Sequence, residues 1–292
     1  MAHIQTNDVK LYVEETGAGD AIVFAHEFGG DYRSWSPQVR HFADRYRCIT
    51  YSARGYPPSE VPEDEARYGQ QLSTDDVAGV LDALGVERAF VVGLSMGAYT
   101  GLMFAMQHPE RVHGLVFASG GSGAYPHTRK QFLADTRKVA DTMLASNSVD
   151  SAGIATGPSR VQLQNKNPQV WEQFAQHLSE HSARGSAYTL RHVQAERPSL
   201  YDFAAELRAM TTPTLLLVGD EDESCLDVNL YLKRSMPYAG LSILAKSGHL
   251  LNLEEPERFN QLLEEFFLTV KAGRWQRRDP RSETLSAFGQ RS

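Results

Sequence analysis

VVGLSMG, Val91 to Gly97, decides how this chain is read. It lies between an apolar run, AFVV from Ala89, and a longer apolar stretch, AYTGLMFAMQH from Ala98. The β-branched and aromatic residues before it predict a strand, and the stretch after it predicts a helix. Gly93 and Gly97 stand two residues either side of Ser95, where a very tight turn admits only small residues. Such a turn holds a serine hydroxyl up at the end of a strand, where it can act as a nucleophile. From Ala89 to Pro109 there is no Asp, Glu, Lys or Arg, and Gly93, Gly97 and Gly101 repeat at the spacing of paired membrane helices. A strand, turn and helix account for every one of these glycines, so no membrane span is expected.

Short apolar runs alternate with amphipathic stretches on both sides of this segment, which predicts a mainly parallel sheet with helices on both faces. The expected strands are VKLYVEE, AIVFAH, RCITYS, AFVVGLS, GLVFAS, PTLLLVG and LSILAK. The expected helices include SWSPQVRHFADRY, STDDVAGVLDALG, MGAYTGLMFAMQH, DVNLYLKRSM and PERFNQLLEEFFLTV. For the second of these, Ser73 and Thr74 are expected to cap the start, with acids in the first turn, and Gly85 to end it. Between about Gly120 and Met210 no strand is expected, only helices and loops, as in a lid over a site at the strand ends. The expected organisation is a core of residues 1–120 and 211–270, a helical cap over 121–210, and an extension from 271 to 292. In that extension six basic residues face two acidic ones, and Trp275 and Phe288 are expected to pack part of it.

Composition narrows the class. The 292 residues are 41% hydrophobic and 22% charged, enough for a sizeable core, and the net charge of -7 argues against a basic nucleic-acid face. Two cysteines, Cys48 and Cys225, fit a reducing compartment better than a disulfide framework. The start, MAHIQTNDVK, has neither an apolar run nor a cationic lead, so no signal peptide and a cytoplasmic location are expected. Nothing in the sequence decides for or against a homo-oligomer.

A serine hydroxyl needs a base within hydrogen-bond reach, and the base needs an orienting acid. His249, in AKSGHLLNLEEPERFN, follows the last strand and precedes the last helix, the best setting among ten histidines. His26 also ends a strand, but Gly29 and Gly30 after it suggest a turn-shaping role. LLLVGDEDES offers Asp220 and Asp222 as the acid, with Asp227 further on. Either keeps the order Ser, acid, His; Asp222, three residues after the Gly219 turn, is favoured over Asp220, which reads as a cap or brace for the loop.

Taken in order, AHEFGG, SARGYPPS, GLSMG, VGDED and SGHLLNLEEPERF resemble the α/β-hydrolase superfamily, over nearly the whole chain to about Val270. The similarity is to its lid-bearing branch of carboxylesterases, enol-lactonases and meta-cleavage hydrolases. It implies an α/β fold with a mainly parallel eight-stranded sheet and a helical cap after the sixth strand. It also implies acyl transfer by Ser95, Asp222 and His249, with the backbone N–H groups of Phe28 and Met96 as oxyanion donors, and no cofactor. The implied substrate is a small, largely apolar carboxylic ester or lactone. Cleavage of a carbon–carbon bond or enol-lactone in aromatic breakdown is the alternative, and a small-molecule receptor with little turnover is the reading from another class. In SARGYPPS, Ser52 and Pro57 depart from the family's usual aspartate and glycine in a mainly structural motif. Glu27 stands where the family usually has glycine, beside the expected oxyanion donor. Three outcomes are open: its side chain points away, it is paired with Arg33 or Arg54 or protonated by burial, or it selects a substrate group. HLSEH, His177 to His181, fits a zinc-helix pattern, but with no evident third ligand no metal is expected.

Overall fold

The computed structural model describes residues 2–283. Eight strands form one sheet in the order β1-β2-β4-β3-β5-β6-β7-β8. They are β1 (Ala2–Thr6), β2 (Val9–Thr16), β3 (Ala21–Ala25), β4 (Arg47–Tyr51), β5 (Ala89–Leu94), β6 (Val112–Ala118), β7 (Thr214–Gly219) and β8 (Ala239–Leu244). β1 pairs antiparallel with β2, and β2 with β4; every other pairing is parallel. Seven of these strands are the expected ones, and β1 is the addition. AHIQT lies mostly exposed at the sheet edge, so it lacks the apolar run that marks a central strand. The signal it does carry is the two-residue Asn7-Asp8 turn before β2, with Asn7 in the left-handed region at φ 44°.

The central strands β3, β5 and β7 are buried at every position because helices cover both faces of the sheet. The pleat sends alternate residues to two cores. Val23, Ala25 and Val91 meet α2 (Gln70–Ala83) and α3 (Met96–Gln107) through Val77, Leu81 and Leu102. Ile22, Phe24, Phe90 and Val92 meet α1 (Ser36–Phe42) and α12 (Pro256–Lys271) through Phe42, Phe259, Leu263 and Phe267.

α2 corrects one expectation. It begins at Gln70, so Ser73 and Thr74 do not cap it. Their hydroxyls instead bond back to the carbonyls of Gly69 and Gln70, at 3.0 and 2.9 Å. A serine or threonine can satisfy its hydroxyl this way inside a helix, which leaves its capping preference a weak boundary signal. The expected first-turn acids, Asp75 and Asp76, therefore fall in the second turn. Gly85 does follow the helix end, at φ 63°.

Between β6 and β7 the described chain forms no strand. It runs through α4 (Pro126–Ser146), α5 (Ser151–Ala155), α6 (Val161–Lys166), α7 (Pro168–Ser179), α8 (Ala183–Tyr188) and α9 (Ala204–Ala209). α10 (Leu226–Ser235) and α11 (Leu251–Glu254) follow β7 and β8. Beyond α12, Trp275 stacks edge-on against Phe266 at 4.7 Å and donates its ring N–H to the Tyr238 carbonyl at 2.7 Å. Phe288 lies outside the described residues. No helix among the described residues is long and apolar enough to cross a membrane.

The loop after β4 is fixed by a buried ion pair. Arg54 Nε and Nη2 each donate to the Asp76 carboxylate on α2 at 2.7 Å, and both side chains are shielded from solvent. Removing Asp76 leaves the buried Arg54 with only the half-exposed Asp8 carboxylate, at 3.1 Å, so Asp76→Ala is expected to lower the unfolding free energy in urea by about 3 kcal/mol. A loss under about 1 kcal/mol would show that the fold does not depend on this pair.

Candidate active site

β5 runs into α3 through Ser95, whose backbone sits at φ 54°, ψ -108°. Two absences of side chain make that turn fit. A Cβ on Gly93 would lie 2.3 Å from the Gly97 carbonyl oxygen, and one on Gly97 would lie 2.0 Å from that of Ala25. The Ser95 N–H is tied to the Ala118 carbonyl at the end of β6, at 2.8 Å. Ser95 is only half-buried, unlike the residues on either side of it. A non-glycine residue held at positive φ costs energy, and such strain gathers at functional turns.

His249 and Asp222 come together after β8 and β7. The His249 Nδ1–H donates to Asp222 Oδ2 at 2.7 Å, with both side chains buried. Burial pushes the imidazolium pKa down, but the Asp222 carboxylate more than offsets this, and the net shift is upward. Burial likewise pushes Asp222 up, and the adjoining His249 brings it below the usual carboxylate value. With Nδ1 turned to Asp222, the lone pair of the neutral ring lies on Nε2. Asp220 does brace the loop, accepting the Ser247 N–H at 3.2 Å, and Asp227 lies exposed on α10. The Ser95 turn and this pair share one sheet edge. Ser95 is bonded to Ala118, and the next carbonyl, that of Ser119, accepts from Cys225 Sγ, which lies 4.0 Å from His249 Nδ1.

Two residues of this arrangement escaped the sequence reading. Glu254 grips the His249 loop from below: its carboxylate accepts the Gly248 N–H at 2.7 Å and the Leu250 N–H at 2.9 Å. Cys225, fully buried, fills the space beside the Asp222–His249 bond. Glu254 belongs to an acidic stretch that reads as an ordinary helix start, and only its position six residues past Gly248 hints at this grip.

The AHEFGG loop completes the edge. His26 uses both ring nitrogens, donating from Nδ1 to the Glu27 carbonyl at 2.8 Å and accepting the Ala53 N–H on Nε2 at 3.0 Å. Burial pushes its pKa down to about 4, so it stays neutral and has no nitrogen left to act as a base. No described residue accepts the backbone N–H of Phe28 or of Met96. Glu27 is completely buried, folded back against Gly30, with Oε1 accepting from Ser34 Oγ at 3.2 Å and Oε2 without a hydrogen-bond partner. Arg33 and Arg54 are not its partners: Arg33 pairs with Asp31 and Glu180, and Arg54 with Asp76 and Asp8. The cation that faces Glu27 is Arg160, which donates from Nη2 to the Phe28 carbonyl at 2.8 Å. Burial nevertheless raises the Glu27 pKa, outweighing Arg160 and Ser34.

HLSEH does not form one helix face, because α7 ends at Ser179. His181 turns to Asp31 at 3.4 Å, and Glu180 pairs with Arg33 at 2.7 Å. Among the described residues, the side chains whose ligand atoms converge as a metal would need are Asp222, Cys225 and His249.

Residues 20–256 match the family model described as alpha/beta hydrolase fold. The chain is 28% identical over 252 residues to 3-oxoadipate enol-lactonase 1 of Acinetobacter baylyi, covering 86% of this chain and 90% of that one. It is 28% identical over 268 residues to the 2-hydroxy-6-oxononadienedioate/2-hydroxy-6-oxononatrienedioate hydrolase of Paraburkholderia phymatum, covering 89% and 91%. A thermophilic esterase from Thermogutta terrifontis superposes with a TM-score of 0.76 at 26% identity, over 92% of this chain and 98% of that one.

The buried carboxyl makes a prediction about stability. The folded pKa of Glu27 lies above its ordinary value of 4.5, so the folded state holds this proton more tightly than the unfolded state. Stability is then lost as pH rises from about 4.5 toward the folded pKa. Glu27→Gln removes that loss, so urea midpoints measured from pH 4 to 8 should show the variant gaining on the wild type as pH rises. Parallel curves would mean the carboxyl titrates normally.

Proposed function

Because this chain belongs to the alpha/beta hydrolase fold family, we propose that it is a serine hydrolase that cleaves a small carboxylic ester or lactone through a Ser95 acyl-enzyme. The observation that carries the reading is the 2.7 Å Asp222–His249 bond at the same sheet edge as the strained, half-open Ser95 turn. His249 Nε2 takes the proton from Ser95 Oγ as that oxygen bonds to the substrate carbonyl carbon. Asp222 holds the ring in the tautomer this needs and stabilises the imidazolium that forms. The carbonyl oxygen, now negative, sits between the Phe28 and Met96 N–H groups; losing one such donor typically costs about a hundred- to thousandfold in rate. The imidazolium returns its proton to the leaving oxygen as the carbon–oxygen bond breaks. A water, deprotonated by the same nitrogen, then attacks the acyl carbon and frees Ser95.

The helices between β6 and β7 act here as a cap. Their contacts support this: Arg160 meets the Phe28 carbonyl, and the Pro198 carbonyl accepts from Tyr99 Oη, one helical turn beyond Ser95, at 2.8 Å. A second reading, carbon–carbon bond hydrolysis, draws on the 28% identity to the Paraburkholderia enzyme, and it needs the same Ser95 and His249.

Two measurements test the reading. On a panel of esters and lactones of increasing acyl length, Ser95→Ala is expected to lose about a millionfold in kcat, down to background. The wild type, and not this variant, should be labelled by a fluorophosphonate probe. An unlabelled wild type with no turnover would favour a receptor instead. Asp222→Asn should lower kcat by about ten-thousandfold. The same change removes the carboxylate that raises the His249 pKa, so the acid limb of kcat/KM should move to lower pH. An acid limb that stays in place would assign it to another group.

A further inference from the structure

Cys225 is fully buried, yet it stands outside the apolar layers of the fold. The other cysteine, Cys48, shares a layer with Ile22, Phe42 and Phe90, where a thiol serves as a small hydrophobe. The Cys225 sulfur has polar company instead. Its S–H donates to the Ser119 carbonyl at 3.2 Å, and the hydroxyls of Ser122 and Ser224 lie 3.3 and 3.5 Å from it. His249 Nδ1 is 4.0 Å away.

These atoms resemble a ligand set at rest. Cys225 Sγ, His249 Nδ1 and a carboxylate oxygen of Asp222 all lie within 4.8 Å of one another. A tetrahedral zinc ion sets its nitrogen and oxygen ligands about 3.3 Å apart, and its nitrogen and sulfur about 3.6 Å apart. The nitrogen and oxygen here are 2.7 Å apart and the nitrogen and sulfur 4.0 Å. Shifts of about half an ångström would therefore make room for the ion. A thiolate and a carboxylate together cancel two positive charges, so the filled site would bury no net charge. Thiolate, imidazole and carboxylate are donors that zinc takes, whereas calcium and magnesium prefer oxygen alone. The site also has a way in. Ser122 is half-buried and Ser224 exposed, so two side chains that touch the sulfur also touch solvent.

We propose that Asp222, Cys225 and His249 form a zinc site whose filling reversibly switches off Ser95. The switch rests on the hydrolase reading above, while the metal site stands without it. The thiol gives its proton to water, and the sulfur, a carboxylate oxygen of Asp222 and the His249 Nδ1 lone pair bond to Zn2+. A seryl hydroxyl or a water completes the four ligands. The proton that Nδ1 held reappears on Nε2, so the ring stays neutral and one proton is released in all. Nε2 then has no lone pair and cannot take the proton of Ser95 Oγ. Catalysis stops although Ser95 itself is untouched.

The first test reads turnover of an ester the wild type hydrolyses. Added Zn2+ should bring the rate to background, and EDTA should restore it. In Cys225→Ala and Cys225→Ser, each scaled to its own metal-free rate, the half-inhibiting concentration should rise more than about a hundredfold, beyond the cost of losing an outer partner. His192 with Glu65 and Glu196 is a rival zinc holder on the surface, and His192→Ala should be inhibited as the wild type is. Equal inhibition of wild type and both Cys225 variants, or a wild type that Zn2+ leaves unaffected, would overturn the proposal. The second test needs no turnover. Co2+ added to Ser95→Ala should produce a thiolate-to-metal charge-transfer band, lost on adding Cys225→Ala and kept on adding Cys48→Ala. That band, from a protein whose wild type hydrolyses no ester, supports the metal site while refuting the hydrolase. Ester hydrolysis that resists Zn2+, with no Cys225-dependent band, refutes the metal site alone.

Discussion

The close approach of three backbone segments at Gly93 and Gly97 constrains everything else in this molecule. β5, the first turn of α3 and the end of β3 come so near one another that no Cβ fits at either glycine. Ser95, between them, carries its Cβ at a positive φ, a conformation that costs a non-glycine residue energy. The sheet supports this from below. β3, β5 and β6 are paired in parallel and sealed by two apolar layers, so the strands cannot slide to relieve the turn. A sub-ångström error here would displace the Ser95 hydroxyl and both free N–H groups together, since all ride on the same two chain crossings.

The Asp222–His249 pair is held in a different way, by polar bonds within loops. Gly219 lets the two loops meet, because a Cβ there would strike the Ser247 and Gly248 carbonyls. Asp220 and Glu254 then fix three successive stretches of the His249 loop by accepting the N–H groups of Ser247, Gly248 and Leu250. Burial pushes the Glu254 pKa up, while the two backbone donors pull it the other way. A carboxylate can therefore contribute to a site as scaffolding for backbone rather than through its charge on substrate.

Much of this was legible in the sequence where a constraint acts through neighbours along the chain. The glycine pinch around Ser95, the strand before it and the helix after it are all local, and seven of eight strands follow from apolar runs. The edge strand β1 was not legible, because its residues answer to solvent on most sides. Nor was the true start of α2, where hydroxyls that suggest a cap are satisfied inside the helix. Residues that act across the fold were hardest. The sequence marked Glu27 as odd and offered Arg33 and Arg54 as partners, since both lie nearby in the chain. The cation that faces it, Arg160, is 133 positions away in the helical stretch, and no periodicity or motif connects the two.

His26 has a consequence beyond its place in the turn. Its neutral ring joins the Glu27 carbonyl to the Ala53 N–H, so it works as a peptide-like link between the loops after β3 and β4. A peptide group would be indifferent to acid, but this link is not. Its folded pKa, about 4, lies below the ordinary 6.5, so the unfolded chain takes up a proton first as pH falls. Over that interval the link withdraws about 3 kcal/mol from the folded state. Mild acid therefore loosens the tie between the loops after β3 and β4 through this one ring.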